Sequence, residues 1–413
     1  MHDVRRGIGG RWRRVSVWGS ASALALLAAL ALIVPTGALA GAGTASTSRY
    51  QPLTPWQKPQ VVLPKPHALN YLKLAETGID HASSWKIGGW YCEYLGCPGS
   101  YPLATIWGAM GMFESADALE LADPSGGNRV RVEHFARASE RYWDPGVGGY
   151  APYPGDRSAK TEVWFDDNGW LGLAFYNAYV ATHKTRYLSD AQRAFRFISS
   201  KGWDAAGGGG MWWNTDHPYH SGPALASDTL LGTLLYNADH ESWQLEDVKT
   251  YVAWANANDI KDERQEYLEK PNEPLSVIDY VQAPMIYAEY LLCQDGQGEE
   301  LCVRAGRLAA TLSEQSVNKF GYRYNYGPEY DVIFMQWMMA YGQATGQTYW
   351  LKLAEDNAAA ASRHAGDDKQ GLLLGSWWGG PITDPNTRPE MLRTQGATTS
   401  LFAWVQYYST ATP

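Results

Sequence analysis

The feature that most constrains this chain is an alternation in how its helical segments are joined. Apolar residues recur with helical periodicity near 66–84, 102–122, 129–143, 167–183, 186–200, 222–238, 241–258, 277–293, 299–316, 329–345, 347–364 and 394–409. Hardly any segment shows the β-branched alternation of a strand. Every second connection is tight: His183-Lys184-Thr185, Asp239-His240, Asp295-Gly296-Gln297-Gly298 and Thr345-Gly346. The connections between them, 144–166, 201–221, 259–276, 317–328 and 365–393, are long and rich in glycine and aromatics. Helices paired by tight turns make hairpins, and hairpins that follow one another round a ring put all tight turns at one end. The long loops then share the other end, where function concentrates. The expectation is an all-α chain folded as an (α/α)6 barrel of six helical hairpins. An open helical solenoid gives the same alternation and stands as the alternative.

The N-terminal stretch is set apart from this pattern. Arg5, Arg6, Arg11, Arg13 and Arg14 precede an apolar run from about Trp18 to Val34, and Ala38-Leu39-Ala40 follows as a small-residue cleavage site. Residues 1–40 read as an export signal peptide. An uncleaved membrane anchor is the alternative, although the run is slightly short of the ~20 residues that span a bilayer. Residues 41–65, rich in Gly, Ser, Thr, Pro and Gln, read as a flexible leader, which leaves 66–413 as a single catalytic domain. The expected location is outside the cell or on its surface. In that setting Cys92 with Cys97, and Cys293 with Cys302, read as two short-loop disulfides. A zinc site is the other reading of four cysteines, but neither pair has the ligand spacing such sites favour.

Charge narrows the class of ligand. The first forty residues hold five arginines and one acidic residue, so without them the net charge moves from −9 to −13. Such a surface repels nucleic acid and anionic lipid and suits a neutral ligand. Nineteen Trp and 26 Tyr stand against 9 Phe, a skew toward rings with a polar handle. Carbohydrate is a ligand of that kind, because sugar C–H faces stack on rings while hydroxyls seek donors and acceptors. A large aromatic core accounts for part of the same skew.

Within the long loop ending at 166 the chain reads "VWFDDNGWLGLAF", with Asp166 and Asp167 adjacent where an apolar helix begins. The plain account is that Asp166 caps the helix and Asp167 occupies its first turn. Trp164, Phe165 and Trp170 close by suggest instead a pocket wall. The next loop on the same face carries "GGGGMWWN", Gly207 to Asn214, in which Trp212 and Trp213 offer a stacking platform. Neighbouring carboxyls in such a site titrate as a pair, one ionised and one protonated, which is the division of labour glycoside hydrolysis needs.

"WFDDNGWLGLAF" followed by "GGGGMWWN", on a chain of twelve helices, resembles glycoside hydrolase family 76, the endo-α-1,6-mannanase family. "YDVIFMQWMMAYGQATGQ" and "GSWWGGP" fit as later landmarks, and the likeness runs from about 70 to 409. The resemblance implies an (α/α)6 barrel, an exported enzyme and retaining cleavage of α-1,6-linked mannose chains, with Asp166 as nucleophile and Asp167 as general acid/base. It implies a polysaccharide or oligosaccharide substrate, no metal or organic cofactor, no nucleic acid and no stable protein partner. The chain departs from the family after Trp-Trp-Asn, where it reads "TDHPYHSGPALASD", and where a basic "FKGIF" is replaced by "YDVIF". A different linkage or a decorated mannan is therefore also an expectation.

Further substrate contacts are expected from Asn214, Asp228, Asp279, Tyr280, Tyr324, Trp377 and Trp378, all at or near long loops of the functional end. His217 and His220 have an alternative reading as loop packing. Tyr322 and Tyr326 share the alternation of Tyr324, and Asp367-Asp368 reads as a solvated loop. Two rival functions are kept. Another (α/α)6 enzyme, of unsaturated-uronyl hydrolase or epimerase type, calls for a basic cluster, whereas Lys160, Lys201, Lys319, Arg323 and Arg388 are scattered. A glycan-binding protein without catalysis is the other.

Overall fold

Among the described residues twelve helices follow one another: α1 (Tyr71–His81), α2 (Ile106–Ala122), α3 (Gly126–Ser139), α4 (Phe165–Thr182), α5 (Thr185–Lys201), α6 (Gly222–Asp239), α7 (Ser242–Asn258), α8 (Asp279–Gln294), α9 (Glu299–Gln315), α10 (Pro328–Thr345), α11 (Thr348–Arg363) and α12 (Leu392–Thr410). The computed structural model describes residues 69–99, 103–158, 160–261, 265–271, 273, 277–315, 327–364, 372–373, 375–379 and 387–411. The even-numbered helices form a closed ring, α2 on α4, α4 on α6, α6 on α8, α8 on α10, α10 on α12, and α12 back on α2. Each odd-numbered helix packs outside it. The expected (α/α)6 barrel is what the chain builds, and closure of α12 on α2 disposes of the open solenoid.

Burial separates the two rings residue by residue. The inner helix α6 is buried without a break from Gly222 to Leu235. The outer helix α5 buries mainly a stripe, Tyr187, Ala191, Ala194, Phe195 and Ile198, at the spacing of one helical face, with Phe197 beside it. An inner helix therefore needs apolar or small residues all round, and an outer one only on the side that meets the ring. Tight turns at the far end rely on a left-handed residue after the inner helix. His183 (φ 57°), His240 (φ 58°) and Gly346 (φ 73°) reverse the chain after α4, α6 and α10.

The loop-rich end holds structure the periodicity does not announce. Among the described residues three antiparallel ladders of two residues per strand sit between outer and inner helices: Lys86–Ile87 with Trp90–Tyr91, Trp143–Asp144 with Gly149–Tyr150, and Ile260–Lys261 with Glu266–Tyr267. Before the first two, the outer helix tightens into a 3-10 turn, Ala82–Trp85 after α1 and Glu140–Tyr142 after α3. Trp85 and Tyr142 end these turns fully buried, so ring burial pulls the chain off the helical path earlier than the pattern suggests. Both expected disulfides are present, Cys92–Cys97 and Cys293–Cys302, with Cα atoms 5.3 and 5.5 Å apart. Among the described residues no helix is long and apolar enough to cross a membrane.

Ring closure rests on a close approach of α2 and α12. A Cβ added at Gly111 would stand 2.8 Å from the backbone nitrogen of Ala397, and one at Gly396 3.0 Å from that of Met112. Backbone cannot yield as a side-chain tip can. Gly111→Ala should therefore lower thermal stability by about 1–3 kcal/mol, the usual cost of overpacking. Gly306→Ala on the outer helix α9, where the nearest atom is 3.9 Å away, should keep or raise it through helix propensity. Melting curves of the two variants check this, and equal midpoints would show the α2–α12 contact to be loose.

Candidate active site

Every long loop delivers the chain to the N-terminus of an inner helix, so the six inner helices all begin at one end. A cavity of about 410 Å³ lies there, and each inner helix contributes to it: Thr105 and Trp107 from α2, Trp164, Asp166 and Asp167 from α4, Ser221 and Pro223 from α6, Tyr280 from α8, Tyr330 from α10 and Arg393 from α12. Loop residues Trp213, Tyr219 and Glu269 complete the lining. Helix N-termini carry partial positive charge and unpaired N–H groups, so their convergence favours anionic groups in the cavity.

The aspartate pair is fixed by the glycine-rich loop. Phe165 N–H donates to the Trp213 carbonyl (2.9 Å), Thr215 N–H to the Val163 carbonyl (3.1 Å), and Trp164 forms a bridge with Asn214. This short pairing starts α4 at Phe165, two residues before the periodicity places it. Trp164 is the residue before the first turn, so neither aspartate caps the helix; both sit in the first turn and reach the cavity. The capping account is thereby replaced.

Their surroundings differ. Asp166 Oδ1 accepts from the Asp167 N–H (2.9 Å) and Oδ2 from Trp213 Nε1 (3.2 Å). Burial pushes the Asp166 carboxyl up to about 6, and those two hydrogen bonds hold it from rising further. Asp167 is driven well above the ordinary carboxylate range, first by burial, then by the Asp166 charge and by Glu93, with Arg393 opposing. As pH rises, Asp166 therefore loses its proton while Asp167 retains one. The arrangement can supply an anionic nucleophile and a proton donor side by side.

Two aromatic clusters line the same space. Trp107, Tyr280 and Tyr330 meet with ring centres 5.1–6.2 Å apart. Trp213 stacks on Tyr219 (5.2 Å, 19°) and lies against Trp164 (6.1 Å).

Of the residues singled out in the sequence, Asp166, Asp167, Trp164, Trp213 and Tyr280 come together in the cavity; the other described ones lie elsewhere. Trp170 is buried beneath Tyr280 (5.7 Å) as a support for that ring. Trp212 alternates to the other side of its hairpin from Trp213, against His220 (4.3 Å) and His217 (5.1 Å). His220 is in turn 3.1 Å from Asp204. Asn214 is fully buried and clips the loop, donating to Glu162 and accepting from the Asp216 N–H. Asp228 points from the flank of α6 toward Tyr251 and Asp247 of α7. Asp279 is buried at the start of α8 while its neighbour Tyr280 lines the cavity. Trp377 donates from Nε1 to Thr398 Oγ1 (3.0 Å) in the core, with Trp378 half-buried beside it. Tyr324, with Tyr322 and Tyr326, and Asp367-Asp368 lie outside the described residues.

The sequence reading passed over Thr105, Trp107, Tyr219, Ser221, Pro223, Glu269, Tyr330 and Arg393. Most stand one to three residues from the start of an inner helix, the signal that would have found them. Arg393 brings a cation to a face on which only scattered basic residues were expected. Its Nε lies 3.4 Å from Glu329 of α10.

Residues 91–268 match the model of a family described as glycosyl hydrolase family 76. Among curated proteins nothing matches the chain. Solved structures do. A family 76 glycoside hydrolase from a bovine Bacteroides thetaiotaomicron strain superposes with TM-score 0.74 at 17% identity, over 83% of this chain and 79% of that one. An α-mannanase of the family from Bacteroides thetaiotaomicron gives 0.72 at 19%, over 83% and 96%. A Salegentibacter α-1,6-mannanase, inactive through alanine at two consecutive aspartates and in complex with α-1,6-mannotetrose, gives 0.67 at 16%, over 82% and 100%. At such identities the structures speak for the shared barrel; the matched segment, which contains the aspartate pair and the tandem-tryptophan loop, speaks for the family. Residues 91–268 thus resemble glycosyl hydrolase family 76, and the chain shares the barrel fold of solved family 76 structures.

Proposed function

We propose that the cavity hydrolyses α-1,6-linked mannan, or a closely related α-mannoside polymer, with retention of anomeric configuration. The observation that carries the reading is the adjacency of two carboxyls in one aromatic-lined cavity, with surroundings that separate their protonation. Asp167 gives its proton to the glycosidic oxygen as an Asp166 oxygen attacks the anomeric carbon, and the carbon–oxygen bond to the leaving sugar breaks. Asp167, now a carboxylate, takes a proton from the water that attacks the same carbon, and Asp166 leaves as a carboxylate. The six helix N-termini and the Trp213 hydrogen bond favour Asp166 as the anion the first step requires.

The Salegentibacter α-1,6-mannanase, inactivated at two consecutive aspartates, supports these roles, and its bound α-1,6-mannotetrose supports the substrate class. The ring clusters suit a neutral chain of sugars. The acidic groups of the lining, Asp166, Asp167 and Glu269 against Arg393, argue against an anionic one. We further propose that residues 1–40 direct export and 41–65 form a leader to a catalytic domain at 66–413, a reading the two disulfides suit.

Asp167→Asn should lower kcat/KM on α-1,6-mannan by about 10²–10⁴-fold, the range for loss of a general acid/base. Asp166→Asn should lose at least as much. Neither should melt lower than the parent, because an amide replaces a buried carboxyl that costs free energy to ionise. Anomer-resolved NMR of the first product should show the α configuration. The β anomer appearing first, or activity surviving in both variants, would overturn the assignment.

The acid limb of the pH profile belongs to Asp166. Activity should fall as pH drops through about 6, where the nucleophile takes up its proton. Trp213→Phe keeps the ring and removes the donor to Oδ2. A hydrogen bond to the charged form lowers a carboxyl pKa, so its loss should move that limb to higher pH. A limb that stays in place would mean that another group controls it.

A further inference from the structure

A third carboxyl is hydrogen-bonded to the cavity wall without lining the cavity itself. Glu93 lies inside the loop closed by Cys92–Cys97. Its Oε2 accepts from both the N–H and the Oγ1 of Thr105, 2.9 Å each. Thr105 caps α2, accepting from the Gly108 N–H (3.0 Å), and lines the cavity. The carboxyl fits there because position 108 has no side chain: a Cβ would stand 2.3 Å from Glu93 Oε2. On its other side the loop is tied to the start of α12. Leu392 N–H donates to the Glu93 carbonyl and Leu95 N–H to the Glu390 carbonyl, 2.9 Å each, and Tyr94 bridges Met391. Arg393 is the next residue.

Glu93 is thus clamped between the first turns of two inner helices. The side-chain cap of α2 is Thr105, whose Oγ1 takes the Gly108 N–H without Glu93. Its Oε1 is enclosed, and among the described residues no donor reaches it. An enclosed oxygen without a donor costs about 1–3 kcal/mol. The groups whose charge bears on Asp167 are Asp166 beside it on α4, Glu93 from the disulfide loop and Arg393 from α12. Arg393 is itself balanced by Glu329 of α10.

We propose that Glu93 is a positioning residue for the acid/base carboxyl: held by its disulfide loop between the starts of α2 and α12, it sets a fixed negative charge near Asp167, which Arg393 opposes. The assignment rests on Asp167 being the acid/base. Its consequence is a working range: Glu93 keeps the proton on Asp167 to higher pH, and Arg393 limits how far. The Cys92–Cys97 loop then acts on catalysis as well as on stability, because it holds the charge in place.

Glu93→Gln keeps the shape and an acceptor for Thr105 while removing the charge. The alkaline limb of kcat/KM on α-1,6-mannotetraose should move to lower pH by about one unit, the scale of a nearby charge. That is a tenfold loss at a fixed pH on the limb, with KM at the optimum and the melting temperature held. If that variant does not fold, Arg393→Gln tests the same balance with opposite sign, and its alkaline limb should move upward. An unmoved limb in the variant that folds, or a loss of rate uniform across pH, overturns the role of Glu93. Asp167→Asn, assayed beside them, separates the two levels. An inactive Asp167→Asn with an unmoved Glu93→Gln profile sinks only this inference, whereas an active Asp167→Asn sinks the acid/base assignment itself.

Discussion

The chemistry of the cavity depends on where the inner helices begin. A helix buried on every side has nowhere along its length to present a polar group without cost. Its two ends are where polar atoms meet solvent, and the tight hairpins close one of them. The remaining end gathers six N-termini, each with unpaired N–H groups, around one cavity. Charge, aromatic walls and the carboxyl pair all follow from that one restriction.

Within it, a backbone pairing of a few residues carries the pair. Val163, Trp164 and Phe165 lie against Trp213, Asn214 and Thr215, so the loop that supplies Trp213 also determines where α4 starts. Register and electrostatics are therefore coupled: the hydrogen bond on Asp166 comes from the loop that brings Asp166 into the first turn. Burial raises both carboxyls, and hydrogen bonding on one and like charge on the other set them apart. A single environment acting alone would have made them alike.

Much of the fold could be read from the chain, because an inner helix such as α6 and an outer helix such as α5 write different apolar patterns. The alternation of tight and long connections gave the ring. Two-residue ladders such as Trp143–Asp144 with Gly149–Tyr150 have no period to read, and so passed unseen. The aspartates and Trp213 stood out because adjacent like charges and tandem rings are locally odd. Trp107, Tyr330 and Arg393 did not, since each is ordinary where it stands and acquires meaning from the helix start beside it. Trp212 and Trp377 misled for the complementary reason. Indole is as useful for wedging a loop or filling a core as for meeting a sugar, and strand alternation decided between Trp212 and Trp213.

The direction of the rings has one more result. Leu72 N–H at the beginning of α1 reaches Gln406 near the end of α12 (3.3 Å), while Trp85, just past α1, donates to the Glu390 carbonyl ahead of α12 (3.0 Å). The polypeptide thus enters and leaves the barrel at its hairpin-turn base. A segment joined directly to the start of α1 or the end of α12 would attach at the hairpin-turn end, away from the cavity.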